Sequence, residues 1–296
     1  MFTKTYKSII GQCQVWYLLS CYFVTVSAEV NTSVAVITAD WSYSDSSENG
    51  PSHWHKTFPA CGGNNQSPIE IDDKISTAPE SLWRPLKFLG YDNFPKKMQI
   101  KINYGSVQVR GNWHAQPTVR GGPLNNDYLF HHLHFHWGPN DREGSEHTLH
   151  GKRYPVELHL VHFRGNYCRL SKALSHPDGL AVVAVFMEIS EDDNVKLQKF
   201  FREVVEVSGH NSSISISPFP LNLLLPKKIR RFYSYHGSLT IPHCNEAVTW
   251  IILNDTTEIS PDQVEVFREL KYSDGQHILH NYRPLQNRNE RKVHSY

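Results

Sequence analysis

Leu133-His134-Phe135-His136-Trp137 and, a short way on, Val156-Glu157-Leu158-His159-Leu160-Val161-His162 both alternate in character residue by residue. Successive side chains of a strand point to opposite faces, so His134 and His136 share one face while Leu133, Phe135 and Trp137 pack into the other layer. In the second segment Glu157, His159 and Val161 share a face, with Leu158, Leu160 and His162 opposite. The turn-forming stretches Pro139-Asn140-Asp141 and Glu143-Gly144-Ser145 between them allow antiparallel pairing, which carries His159 towards His134 and His136. Three neutral imidazoles around zinc leave a fourth position for water, the composition of a catalytic site; structural sites usually close with four ligands, commonly including cysteine. No cysteine lies near these strands. Glu157 is on the face of His159, where a carboxylate can hold the second ring nitrogen of a ligand. Spacing leaves the ligand set open, because His132 shares the face and His53-Trp54-His55 is a second His-x-His without strand alternation.

The rest of the chain reads as short β segments separated by turn residues. Met98–Ile102 and Ser106–Val109 are examples, and Leu180–Phe186 and Val248–Leu253 are apolar enough to be buried on both faces. Helical spacing groups Val195, Leu197, Phe200, Phe201, Val204 and Val205 over 195–206. Ser260-Pro261-Asp262-Gln263 starts a second helix, predicted over 261–271, with a capping serine, proline at the first position and glutamine three residues after the cap. No internal repeat, low-complexity block or linker divides the chain. The expected fold is mainly β (α+β), a single domain over 41–287, flanked by a leader at 29–40 and a polar tail at 288–296.

With 296 residues, 39% hydrophobic and 20% charged, the chain has a globular composition, which excludes disordered, collagen-like and coiled-coil classes. A net charge of +1 carries no electrostatic footprint for nucleic acid. Eighteen histidines are the unusual feature. Lys4 and Lys7 followed by the apolar run Val15–Val26 and the small residues Ser27 and Ala28 read as a secretory signal over 1–28, cleaved after Ala28. That run is shorter than the ~20 residues a membrane span needs, and no later stretch is longer, so a secreted, extracellular product is expected. Cys61, Cys168 and Cys244 then remain, enough for one bridge in any of three pairings and one leftover thiol. Asn31, Asn65, Asn211 and Asn254 each begin a glycosylation sequon, Asn65 the least favourable because Pro68 follows its serine.

Ordered blocks along the chain resemble the α-class carbonic anhydrases over residues 41–285. They include Gln66-Ser67-Pro68-Ile69, Gly121-Gly122-Pro123-Leu124 and Leu133–Gly138. Gly144-Ser145-Glu146-His147-Thr148, Glu157–His162, Asp178–Val182, Gly237-Ser238-Leu239-Thr240, Val248-Thr249-Trp250 and Asn281-Tyr282-Arg283-Pro284 continue the series. The resemblance implies a large, twisted, mostly antiparallel central sheet with peripheral helices. It assigns Zn2+ to His134, His136 and His159, with Glu157 behind His159 and His132 where the family has a glutamine holding a ligand. Zinc lowers the pKa of its water to ~7, so hydroxide for attack on CO2 exists at neutral pH. Thr240 matches the threonine that orients this nucleophile, and Glu146 the carboxylate that accepts its hydroxyl proton. Val161, Val182, Leu239, Val248 and Trp250 match the apolar wall where CO2 rests. Cys61 and Cys244 match the disulfide of secreted members, which leaves Cys168 for an intermolecular bridge and a disulfide-linked dimer.

The chain departs from the family pattern at several points. The segment Asn103-Tyr104-Gly105-Ser106, aligned with the proton-shuttle histidine of fast members, contains no histidine and is one residue short. His243, expected near the mouth of the site, is the residue that would compensate in part. Ile241 replaces a frequent threonine beside Thr240, and Tyr282 a frequent tryptophan. Silent relatives that act as binding modules typically lose a zinc histidine, whereas all three stand here. The expected function is reversible hydration of CO2 to bicarbonate without an efficient histidine shuttle; the alternative is a secreted, carbonic-anhydrase-related binding module with little hydration activity.

Overall fold

The computed structural model describes residues 41–80, 83–207 and 213–296. The expected signal and leader, with Asn31 and Asn211, lie outside the described residues. Trp41–Tyr296 form one compact unit.

The first strands are short: β1 Glu70–Ile71, β2 Ser76–Thr77 and β3 Lys87–Leu89. Strands β4 Lys97–Asn103 and β5 Ser106–Asn112 form a hairpin over Tyr104 and Gly105, both at positive φ (52° and 69°), which glycine accepts without strain. β6 Thr118–Gly121, β7 Leu124–Trp137, β8 Thr148–Leu149, β9 Val156–Arg164 and β10 Leu180–Ile189 follow. β11 Ser213–Ile216, β12 Phe232–Gly237, β13 Val248–Leu253, β14 Thr257–Ile259 and β15 His294–Ser295 complete the set. One large sheet runs β11-β4-β5-β7-β9-β10-β13-β12-β15-β2, with β14 on β10 and β3 on β6 beside β7. It is mostly antiparallel, as expected, with parallel pairings of β10 to β13, β10 to β14 and β15 to β2. The stretch read as a polar tail supplies β15, which is paired to β12 and β2.

The middle of the sheet is apolar on both sides, as the runs in β10 and β13 required. Val183, Val185 and Ile251 enter one core cluster, while Val182, Ala184, Trp250 and Ile252 enter the other. Leu133, Phe135, Trp137, Leu158 and Leu160 line the first cluster, so the opposite face of β7 and β9 is left for the histidines. Burying a side chain of this size stabilises by ~1.5–3 kcal/mol, which pins the register against a one-residue slip. A bulge interrupts β7: Phe130 is opposite His162 but His132 is opposite Val161. The extra residue, His131, turns Phe130 onto the face of Leu133 and Phe135, where simple alternation would have put it with the histidines.

The two predicted helices are present but shorter. The second spans Pro261–Arg268 and opens with the expected capping box between Ser260 and Gln263. It stops before 271 because the chain turns back, the Ile278 N–H donating to the Leu270 carbonyl. The first spans Gln198–Val204 and buries Phe200, Phe201 and Val204. Val195 and Val205, read as part of its apolar stripe, are 76% and 67% exposed.

Candidate active site

His134 on β7 is directly opposite His159 on β9, and His136 is opposite Glu157. The antiparallel pairing therefore brings the three histidines and Glu157 together, as the alternation required. His136 and His159 are buried and His134 is partly exposed to a cavity of about 340 Å³. Their nearest ring nitrogens and those of their neighbours settle the tautomers. His136 Nδ1 donates to the Asn281 carbonyl at 2.7 Å, and His159 Nε2 donates to Glu157 Oε1 at 2.7 Å. Both partners only accept, so the other nitrogens, His136 Nε2 and His159 Nδ1, carry lone pairs when the rings are neutral. Burial holds the rings neutral: it pushes His136 down to about 3, and His134 and His159 also fall below the ordinary histidine value.

The lone pairs converge. His159 Nδ1 is 3.3 Å from His134 Nε2, and one ligand atom from each of the three rings lies within 4.8 Å of the others. Two nitrogens each about 2.05 Å from a tetrahedral zinc stand roughly 3.3 Å apart, so the donor set fits zinc in composition and in that spacing. His136 Nε2 is buried with no hydrogen-bond partner, as a nitrogen reserved for a metal is expected to be.

Behind the ligands is a polar network that sequence reasoning only partly found. Glu157 accepts from His159 and also from the ring and backbone N–H of His147, at 2.7 and 2.8 Å. Burial pushes the Glu157 carboxyl up, but its pairing with His147 and His159 outweighs this and holds it well below the usual carboxylate range. His147 Nε2 is 2.7 Å from the Tyr235 hydroxyl, which donates in turn to Ser67 Oγ, and Ser67 Oγ also accepts from the Ser238 N–H. Asn281 takes the N–H of Trp137 and spans to the carbonyls of Gly105 and Phe135. His147 and Asn281 stand in the motifs quoted above, yet no periodicity marks them, because their partners come from distant strands.

Glu146 is fully buried. Its Oε1 accepts from the Arg283 backbone N–H at 2.9 Å, and the Thr240 hydroxyl is near enough to favour the charged carboxylate. Burial, then the charge of Glu157, push Glu146 well up, against the pull of Thr240 and Arg283. Its second oxygen has no hydrogen-bond partner and is 3.4 Å from His136 Nε2. Thr240 lines the cavity with Val161, Val182, Leu239 and Trp250. Val248, expected in that wall, is fully buried and does not reach the cavity surface.

His132 lies on the ligand face, but its Nδ1 pairs with His131 Nδ1 at 2.7 Å and its ring stacks on His134. The buried Nδ1 of His134 is consequently without a partner, so His132 does not hold that ligand as the family glutamine would. Cys61 and Cys244 form a disulfide within the chain. Cys168 carries an interaction of its own, so the dimer reasoned from a leftover thiol loses its basis. Asn65 donates its side-chain amide to Glu246, and Asn254 accepts from the Tyr233 hydroxyl. Asn103 and Tyr104 line the cavity with no histidine between them, and His243 is exposed on its wall against Phe58. Ile241 lines the cavity too, while the Tyr282 hydroxyl donates to Glu143.

Three neutral imidazoles brought together by a mostly antiparallel sheet, two of them lining a part-apolar cavity, are a donor set that could hold a metal ion with one position left open. The profile of the eukaryotic-type carbonic anhydrases matches residues 49–296, and the chain belongs to that family of enzymes, which is generally zinc-dependent. It is 37% identical over 258 residues to putative carbonic anhydrase 3 of Caenorhabditis elegans, covering 87% of this chain and 98% of the relative. Identity to carbonic anhydrase 7 of Homo sapiens is 39% over 252 residues, covering 83% and 93%. To carbonic anhydrase 1 of Mus musculus it is 37% over 254 residues, covering 84% and 95%. Among the described residues no helix is long and apolar enough to cross a membrane.

Proposed function

We propose that this chain is an active carbonic anhydrase that hydrates CO2 reversibly, with zinc held by His134 Nε2, His136 Nε2 and His159 Nδ1. The convergence of three neutral ring nitrogens beside Thr240 and Glu146 carries the reading. Bound there, zinc supplies the Lewis acidity that makes water a nucleophile at neutral pH. The residues do the rest. Glu157 and the Asn281 carbonyl fix two imidazoles by their far N–H groups, so the rings cannot swing away or change tautomer. Thr240, with its hydroxyl proton committed to Glu146, presents only a lone pair to the cavity and therefore accepts from whatever donates there. The apolar surface of Val161, Val182, Leu239 and Trp250 suits a small neutral substrate and gives charged bicarbonate no partner.

Proton export is the weak step. No histidine stands in the turn at Tyr104-Gly105, so turnover depends on buffer to carry the proton away. A signal over 1–28, a leader over 29–40 and secretion to an oxidising space belong to the same reading, supported by the Cys61–Cys244 bridge. Asn254 uses only its side-chain oxygen, accepting from Tyr233, whereas the side-chain nitrogen of Asn65, the atom a glycan would need, is committed to Glu246.

Stopped-flow CO2 hydration by the zinc-loaded protein across a buffer series tests this. Hydration that climbs with buffer concentration supports the reading, and rapid buffer-independent turnover overturns the shuttle argument. No hydration by folded, zinc-containing protein favours the second reading, a binding module. The observation behind that alternative is the unpartnered His134 Nδ1 beside a His132 turned towards His131.

A further inference from the structure

Arg110 is on β5, two residues from Gln108, which is paired directly with His134. Side chains two apart on a strand share a face, so Arg110 projects on the same side as the ligand set, and it lines the same cavity. Among the described residues lining that cavity, Arg110 is the one arginine or lysine, and no carboxylate lines it. Other arginines have acidic partners: Arg164 with Asp178, Arg268 with Asp141, Arg288 with Asp72. Arg110 has no ion pair of this kind among the described residues. His131, on the strand beside it, adds no competing charge, since burial and then Arg110 itself push it down to about 4. Leu170, Leu174 and Val182, which line the same cavity, are apolar and screen little.

We propose that Arg110 is a specificity-determining residue of this cavity, a fixed cation that draws monovalent anions, bicarbonate among them, to the metal centre. The inference rests on the metal-centre reading above and adds ligand preference to it. A cleft with one sign of charge and low-dielectric walls concentrates counter-ions, whereas neutral CO2 gains nothing from the field. Bicarbonate and simple anions such as thiocyanate therefore bind more tightly here than the apolar wall alone allows, and neutral ligands do not.

The test uses the cobalt(II)-substituted protein, whose visible spectrum reports ligands reaching the metal, titrated with thiocyanate, with bicarbonate and with neutral phenol. In R110Q the Kd for both anions should rise roughly three- to tenfold, the size expected of one partly screened charge, with the phenol Kd in place. R110K, which keeps the charge, should stay near the parent, and the difference between parent and R110Q should shrink as ionic strength rises. Equal anion affinity in parent and R110Q overturns the proposal, as does R110K weakened as much as R110Q, which signals lost packing in place of lost charge. If the parent neither takes up cobalt nor hydrates CO2, the metal-centre reading itself fails, an outcome distinct from an unchanged R110Q.

Discussion

Replacing Glu157 by glutamine isolates what holds the third histidine. The carboxylate is fully buried and accepts three hydrogen bonds, from His159 Nε2 and His147 Nδ1 at Oε1 and from the His147 backbone N–H at Oε2. A carboxamide has one accepting end. If its oxygen takes the place of Oε1, its NH2 faces the His147 N–H, two donors together; if it turns over, two ring N–H groups lose their acceptor. Leaving a buried donor unsatisfied costs about 1–3 kcal/mol, and hydrogen bonds to a charged group are each worth about 1.5–3 kcal/mol. Loss of a group that orients a metal ligand typically weakens metal binding by ~10–100-fold, which corresponds to about 1.4–2.7 kcal/mol. E157Q should therefore bind zinc ~10–100-fold more weakly than the parent. The assay is competition with a chromophoric chelator, with urea unfolding of the zinc-free chain to separate loss of metal from loss of fold. Zinc affinity within about twofold of the parent would refute the reasoning, since it would mean His159 is held by its packing alone.

Three further outcomes follow from the same geometry. T240A should lower kcat/KM for CO2 by about 10²–10³-fold, the loss typical of one preorganised hydrogen-bonding group, while zinc affinity measured by chelator competition stays near the parent. His162, buried beneath Tyr91, is held by burial at about 3, against ~6.5 in the unfolded chain. As pH falls from about 6.5 towards 3, the unfolded chain takes up a proton that the folded chain refuses, so stability drops by about 1.4 kcal/mol per pH unit from this group and is flat above 6.5. H162Q should be less stable near neutrality yet show a shallower acid slope in urea unfolding across that window, and an unchanged slope would count against the assignment. The Cys61–Cys244 bridge closes a separation of 183 residues, for which loop entropy gives about 5 kcal/mol, so C61S/C244S should shift the urea midpoint strongly. A midpoint shift worth less than about 1 kcal/mol would show that the unfolded chain is not constrained by the bridge.

Much of the site was legible because a strand converts sequence spacing directly into faces. The alternation at 133–137 and 156–162 settles which residues point together, and burial of the apolar partners leaves no freedom to slip. The capping box at Ser260 and the doubly buried strands at 180–186 and 248–253 are local for the same reason. By itself, then, the sequence determined a mainly β protein, the face that carries His134, His136 and His159, and the block resemblance that names Thr240 and Glu146. The tertiary structure decided what no local pattern encodes. It supplied the bulge at His131 that turns Phe130 inward, the pairing of His132 with His131 instead of with a ligand, and the burial of Val248 away from the cavity. It also brought His147, Asn281 and Arg283 from distant segments to the groups they hold, and left Arg110 facing a cavity without a carboxylate. The physical reason is that periodicity fixes the direction of a side chain, whereas a hydrogen-bond partner or a counter-charge depends on which remote strand the sheet places beside it.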